Sequence, residues 1–123
     1  NRKPLVSVII NNYNYDRFIA EAIQSVLDQS YRKLEIIVVD DGSDDQSVSV
    51  IRAIQRNNPD RITLIQKENG GQASAFNRGF KASHGEIITF LDSDDYWFRD
   101  RIARVVEQHN RHAFVQHSLW CQN

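Results

Sequence analysis

The chain has no methionine and a single cysteine among its 123 residues. One cysteine, Cys121, excludes an internal disulfide and any cysteine-based zinc site; it fits a reducing, cytoplasmic setting. The lack of methionine, at position 1 as elsewhere, is expected of a segment of a longer protein. A surplus of either charge is also missing, since 15 basic and 16 acidic side chains give a net charge of −1. That leaves no basic footprint for nucleic acid or an anionic membrane. Apolar runs are only a handful of residues long, as in IIVV at 36–39, so nothing in the chain reads as a transmembrane helix or signal peptide. Neither G-x-x-x-x-G-K-[ST] nor G-x-G-x-x-G occurs, so neither glycine-rich phosphate loop is available. Among the histidines, His84, His109, His112 and His117, one pair is spaced i, i+3. That pair, His109 and His112, reads as solvated surface rather than as metal ligands.

What is present is one domain's worth of alternating patterns. LVSVII (5–10), LEIIVV (34–39), RITLIQ (61–66) and EIITFL (86–91) are short runs rich in β-branched residues and read as strands. Between them lie helical stripes. The first carries Phe18, Ile19, Ala22, Ile23, Val26 and Leu27. The second starts at a capping-box pattern, Ser43 with Gln46, and turns Val48, Ile51 and Ile54 inward. The third, after the NGG loop at 69–71, carries Ala73, Phe76, Asn77 and Phe80, with Gly85 placed as a helix C-terminal glycine. Ile102, Val105, Val106 and His109 mark a fourth, and AFVQHSLW (113–120) reads as a final strand. Strands alternating with helices predict an α/β fold, a mostly parallel sheet with helices on both faces.

Polar clusters fall where such a sheet binds ligands, beyond the carboxyl ends of the strands. NNYN follows the first strand, DDGS the second and DSDD the fourth. Three aspartates, Asp92, Asp94 and Asp95, repel one another unless a cation sits among them. Hard divalent ions such as Mg²⁺ and Mn²⁺ prefer oxygen ligands and commonly bridge one or two carboxylates to substrate phosphates.

VSVIINNYNY, SVLDQSYRKLEIIVVDDGSDD, NGGQASAFNRGF and GEIITFLDSDDYW, in this order and spacing, resemble the family 2 glycosyltransferases of the GT-A fold. The resemblance covers nearly the whole chain. It implies a Rossmann-like GT-A sheet, a nucleotide-sugar donor (usually a UDP-sugar), a Mg²⁺ or Mn²⁺ ion, and inversion at the anomeric carbon during polysaccharide or glycoconjugate synthesis. It leaves open the acceptor, a glycan or a lipid-linked hydroxyl. By position, Asn11 and Tyr13 fall in the base pocket, with Tyr13 packing on uracil. Asp41 falls at the uracil edge, and Asp40 at the ribose or in holding the loop. The NGG loop (69–71) and Asn77 fall on the donor-side loop and helix. The family's Asp-x-Asp motif falls on Asp92, Ser93 and Asp94, which makes Asp94 the metal ligand and Asp92 a ligand of ribose or metal. Asp95 is a further ligand or a neighbour of one.

This sequence departs from the family pattern in three places. It has Asn11 and Asn12 where Pro-Thr is common, Phe76 where an arginine is common, and Arg99 in place of a proline. The resemblance also puts the general base in a later segment than Asn123. Residues 1–123 are then the donor-binding half of the domain, inactive alone, with an exposed apolar face for the other half and for self-association. The expected setting is cytoplasmic, with the cytoplasmic face of a membrane as the alternative for the full protein. Two other classes remain on pattern alone. A phospho-receiver-like signalling module would need an acidic pair where NNYN stands, and a non-catalytic interaction module could keep the fold without the chemistry.

Overall fold

A computed structural model describes the backbone of residues 3–122 and the side chains of residues 3–111. Four strands, β1 (Val6–Asn12), β2 (Leu34–Asp40), β3 (Ile62–Gln66) and β4 (Ile87–Asp92), alternate with four helices, α1 (Ile19–Leu27), α2 (Ser47–Asn57), α3 (Gln72–Ala82) and α4 (Arg101–Gln122). The sheet is parallel throughout, in the order β3-β2-β1-β4. Strand order therefore reverses between β1 and β4, and Asn11 at the end of β1 is in register with Asp92 at the end of β4.

The two-residue period of the strands sorts their side chains onto two faces. Val6, Val8 and Ile10 of β1, with Ile36 and Val38 of β2, join Ile19, Ile23 and Val26 of α1, Ile51 of α2, and Ile102 and Val106 of α4 in the larger core. The intervening Ile9, Ile37 and Val39 meet Ala75 of α3 on the opposite face. Both faces of the central strands are thus covered, as their continuous apolar runs require.

Several sequence expectations need correction. Residues 113–120 continue α4 and form no strand; no glycine or proline stands between Arg101 and Gln122 to stop the helix. The side chains of His112, His117 and Cys121 lie outside the described residues. His109 pairs with Glu86, its Nε2 3.1 Å from Oε2. On α3 the buried residues are Ala75 and Gly79, whereas Phe76 and Phe80 stand exposed and stacked, with Phe76 also against Phe90 of β4. On α2, Ser47 and Ile51 are buried, while Val50 and Ile54 pack at the margin of the core and Val48 is half-buried. Phe18 is exposed and stands just ahead of α1, not in its buried stripe. Gly85 is no helix cap, since α3 ends at Ala82. Its reason is close approach: a Cβ there would lie 2.6 Å from the backbone nitrogen and hydroxyl of Ser7. Ser7 Oγ accepts the Gly85 N–H at 2.8 Å and donates to Glu35 Oε2 at 2.5 Å.

Candidate functional site

The loops after β1 and β2 are laced together by side chains that bond to backbone. Ser43 was expected to cap α2, but its hydroxyl donates to Asp40 Oδ1 at 2.7 Å and accepts the Asn14 N–H at 2.9 Å. Residue Gln46, which precedes α2, makes no side-chain cap bond. Asp45 instead accepts the N–H groups of Ser47 at 2.9 Å and Asp16 at 3.1 Å, and Asp16 in turn accepts that of Gln46 at 3.0 Å. Asn14 takes a left-handed φ of 57°, and its amide oxygen accepts the Asp44 N–H at 2.9 Å. Asp40, buried, accepts from Asn12 Nδ2 at 3.0 Å and from the Ser43 N–H at 3.0 Å. These bonds tie the loop after β2 to the end of β1.

Asp41, beside it, faces another segment. Its Oδ1 accepts from Lys67 Nζ at 2.6 Å and Gly70 N at 2.9 Å, and its Oδ2 accepts from Gly71 N at 2.9 Å. The ion pair is enclosed, with the side chains 7% and 4% exposed. Burial pushes the Asp41 carboxyl up, but the hydrogen bonds from Lys67, Gly70 and Gly71 and the Lys67 charge outweigh it and hold it below the usual carboxylate range. Asn69 Nδ2 donates to the Asp41 carbonyl at 3.1 Å. The NGG loop is thereby tied to the end of β2.

These loops enclose a cavity of about 360 Å³ beyond the carboxyl ends of the strands, lined by Asn11, Tyr13, Tyr15, Asp41, Asn69, Gly71, Gln72, Asp92, Ser93 and Asp94. It lies where strand order reverses, the place at which open α/β sheets bind ligands. Tyr13 is 45% exposed. Asn11 lines the cavity, and its buried Oδ1 has no hydrogen-bond partner among the described residues. Asp92 and Asp94 are exposed, and Ser93 between them is buried.

The expected residues divide accordingly. Asn11, Tyr13, Asp41, Asp92, Ser93 and Asp94 come together at the cavity. Asp40 lies beneath it. Asp95 does not line it, and its Oδ1 accepts the N–H of its neighbour Tyr96 at 2.8 Å. Asn77 is exposed on α3 rather than on a buried stripe, away from the cavity residues; two residues after buried Ala75, it points to nearly the opposite side of the helix. The NGG loop, expected on the donor side, brings Asn69 and Gly71 to the cavity, whereas sequence reasoning missed Tyr15, Gln72 and Lys67. Lys67 carries no local signal, because its partner Asp41 is 26 residues away.

A larger cavity, about 440 Å³, lies between α1 and residues 96–99 and is lined by Glu21, Gln24, Ser25, Asp28, Tyr96, Trp97, Phe98 and Arg99. It touches none of the strand-end polar clusters. The smaller cavity is therefore the candidate site.

Oxygen donors at the candidate site match a hard divalent cation. Among the described residues no three His, Cys, Asp or Glu side chains group closely enough to hold a metal ion alone. Asp92 and Asp94 fit a cation whose remaining ligands are water and ligand phosphate, the common arrangement for Mg²⁺.

Comparison with known proteins gives a consistent result. The family model for glycosyl transferase family 2 matches residues 7–120. The chain is 50% identical over 102 residues to an uncharacterized glycosyltransferase of Nostoc sp., covering 83% of this chain and 32% of the relative. Among solved structures it is similar to the mannosyltransferase PcManGT of Pyrobaculum calidifontis in complex with GDP-Man and Mn²⁺ (TM-score 0.75, 35% identity, 79% of this chain and 29% of that one). It is also similar to TarS residues 1–349 of S. aureus in complex with UDP-GlcNAc (TM-score 0.80, 30% identity, 88% of this chain and 32% of that one). The chain thus spans about a third of the length of these relatives. Its fold is that of the GT-A glycosyltransferases.

Proposed function

The chain belongs to glycosyl transferase family 2, and from that premise we propose that it is the donor-binding part of a metal-dependent, inverting glycosyltransferase that uses a UDP-sugar. The observation that carries the nucleotide reading is a strand-end cavity that brings the exposed Tyr13 together with Asn11, Asp41 and the exposed Asp92 and Asp94. The receiver-like alternative falls with the family match.

In this reading the base stacks on Tyr13 beside Asn11, and Asp41 accepts an N–H group of the nucleoside. Asp94 would hold a Mg²⁺ or Mn²⁺ ion, with Asp92 at the ribose or the ion. Such an ion, when bound, neutralises charge on the departing diphosphate. Inversion is a single displacement, in which an acceptor hydroxyl attacks the anomeric carbon from the side opposite the diphosphate and gives up its proton to a base. Asp41 is committed to Lys67, and Asp92 and Asp94 to cation and ribose, so the base comes from a residue outside this set. The half-covered aromatic surface of Phe76, Phe80 and Phe90 is where further protein surface or a second copy would pack.

Calorimetry in the presence of Mn²⁺ tests the donor. UDP is expected to bind at least about tenfold more tightly than GDP or CDP, the worth of one charge-assisted hydrogen bond. Equal affinities for the three diphosphates would remove Tyr13 and Asp41 from base recognition.

A further inference from the structure

Resting on the nucleotide reading above, we infer that Lys67 determines which base the cavity accepts, by filling one oxygen of Asp41 and leaving a single open position on the other. An ionised carboxylate has about four lone-pair positions, two on each oxygen. Oδ1 of Asp41 accepts from both Lys67 Nζ and Gly70 N, so it is full. Oδ2 accepts the Gly71 N–H alone, which leaves one position. Lys67 is not free to swing aside. Its side chain is 7% exposed, and its ammonium also donates to the Glu68 carbonyl at 2.5 Å.

Pyrimidine and purine edges make different demands on such a carboxylate. Uracil offers one N–H, at N3, flanked by two carbonyls, and one open acceptor position satisfies it. Guanine offers N1–H and N2–H₂ side by side, and it pairs with a carboxylate through both oxygens at once. With Oδ1 filled, that two-point pairing is closed. A guanine placed here would leave a buried N–H unsatisfied, which costs more than a missing contact. Lys67 is thus a specificity-determining residue that acts through Asp41 and touches no reacting atom.

Titration calorimetry of the 123-residue chain with UDP and with GDP, in Mn²⁺, compares the wild type with Lys67→Met and Lys67→Arg. The wild type should favour UDP. Lys67→Met opens a position on Oδ1, so the UDP-to-GDP preference should fall at least about tenfold, mainly through gained GDP binding. Lys67→Arg keeps a donor on Oδ1 and should keep the preference. Equal weakening of both ligands in Lys67→Met, or an unchanged ratio, would make Lys67 a purely structural group and overturn the inference. N3-methyl-UDP on the wild-type chain gives an answer that does not depend on how a variant folds. Lacking the single N–H, it should bind at least about tenfold more weakly than UDP, and equal binding also overturns the inference. A wild-type chain that binds neither diphosphate fails at the nucleotide reading itself. One that binds UDP and GDP equally well keeps the nucleotide site but loses base recognition by Asp41, and with it the role of Lys67.

Discussion

Replacing Asp94 by Asn should lower the affinity for UDP in the presence of Mn²⁺ by about 100-fold and leave the fold intact. Groups that merely orient a metal ligand are worth about 10- to 100-fold in metal affinity, so the loss of a direct ligand belongs at or above the top of that range. The fold is spared because Asp94 is exposed in the turn after β4. Removing one of several neighbouring carboxylates also relieves like-charge repulsion, so thermal stability without metal should hold or rise slightly. Asp95→Asn is the matched control. Its carboxylate already accepts the Tyr96 N–H and does not line the cavity, so UDP affinity should change less than about threefold, within what one weak exposed contact contributes. Calorimetry with both variants distinguishes the two aspartates; equal losses would contradict the assignment of the cation to Asp94.

The largest loss of stability is expected from Gln29→Ala. Gln29 is buried, and its amide joins the end of α1 to the segment behind the carboxylates. Nε2 donates to the Ser25 carbonyl at 3.1 Å and the Phe98 carbonyl at 2.7 Å, while Oε1 accepts the Ile102 N–H at 2.9 Å. That last bond satisfies one of the donors left open at the start of α4. Truncation strands the Ile102 N–H in buried surroundings, at about 1–3 kcal/mol. It also takes a donor from the Ser25 and Phe98 carbonyls, of which Phe98 keeps the Arg101 N–H, at about 1 kcal/mol more. A total of roughly 3 kcal/mol lowers the melting temperature of a chain this size by on the order of 10 °C. Gln29→Glu keeps the acceptor for Ile102 but sets a carboxylate oxygen against the Phe98 carbonyl, so it should also destabilise. A melting temperature for Gln29→Ala within about 2 °C of wild type would show that these bonds contribute little.

The strands were legible because each is a β-branched run that ends in a polar cluster, and the cavity followed because those ends converge in a parallel sheet. The errors came where local pattern met a distant partner. Ser43 and Gln46 satisfy the capping-box spacing, yet the serine hydroxyl bonds to Asp40 and accepts the N–H of Asn14 from the loop after β1. On α3, large apolar residues signalled the buried face, but the sheet comes too close for them. A Cβ on Gly79 would lie 2.7 Å from Ile9 Cγ2, so small residues face inward and the phenylalanines turn out. AFVQHSLW is a short apolar run of the kind that periodicity assigns poorly to strand or helix, and the unbroken helix before it decides the matter. Lys67 and Gln29 act across 26 to 73 residues, a separation that no local window reads.

The central claim is that the cavity at the ends of β1, β2 and β4 takes a nucleoside diphosphate together with a cation. An amide NMR titration of the ¹⁵N-labelled chain with UDP, in the presence and absence of Mg²⁺, tests it most directly. The expected result is saturable shifts at Asn11, Tyr13, Asp41, Asn69 to Gln72 and Asp92 to Asp94, strongly reduced when Mg²⁺ is withheld. Shifts centred instead on Glu21, Gln24, Asp28 and Tyr96 to Arg99, around the larger cavity, or no shifts at all, would contradict it.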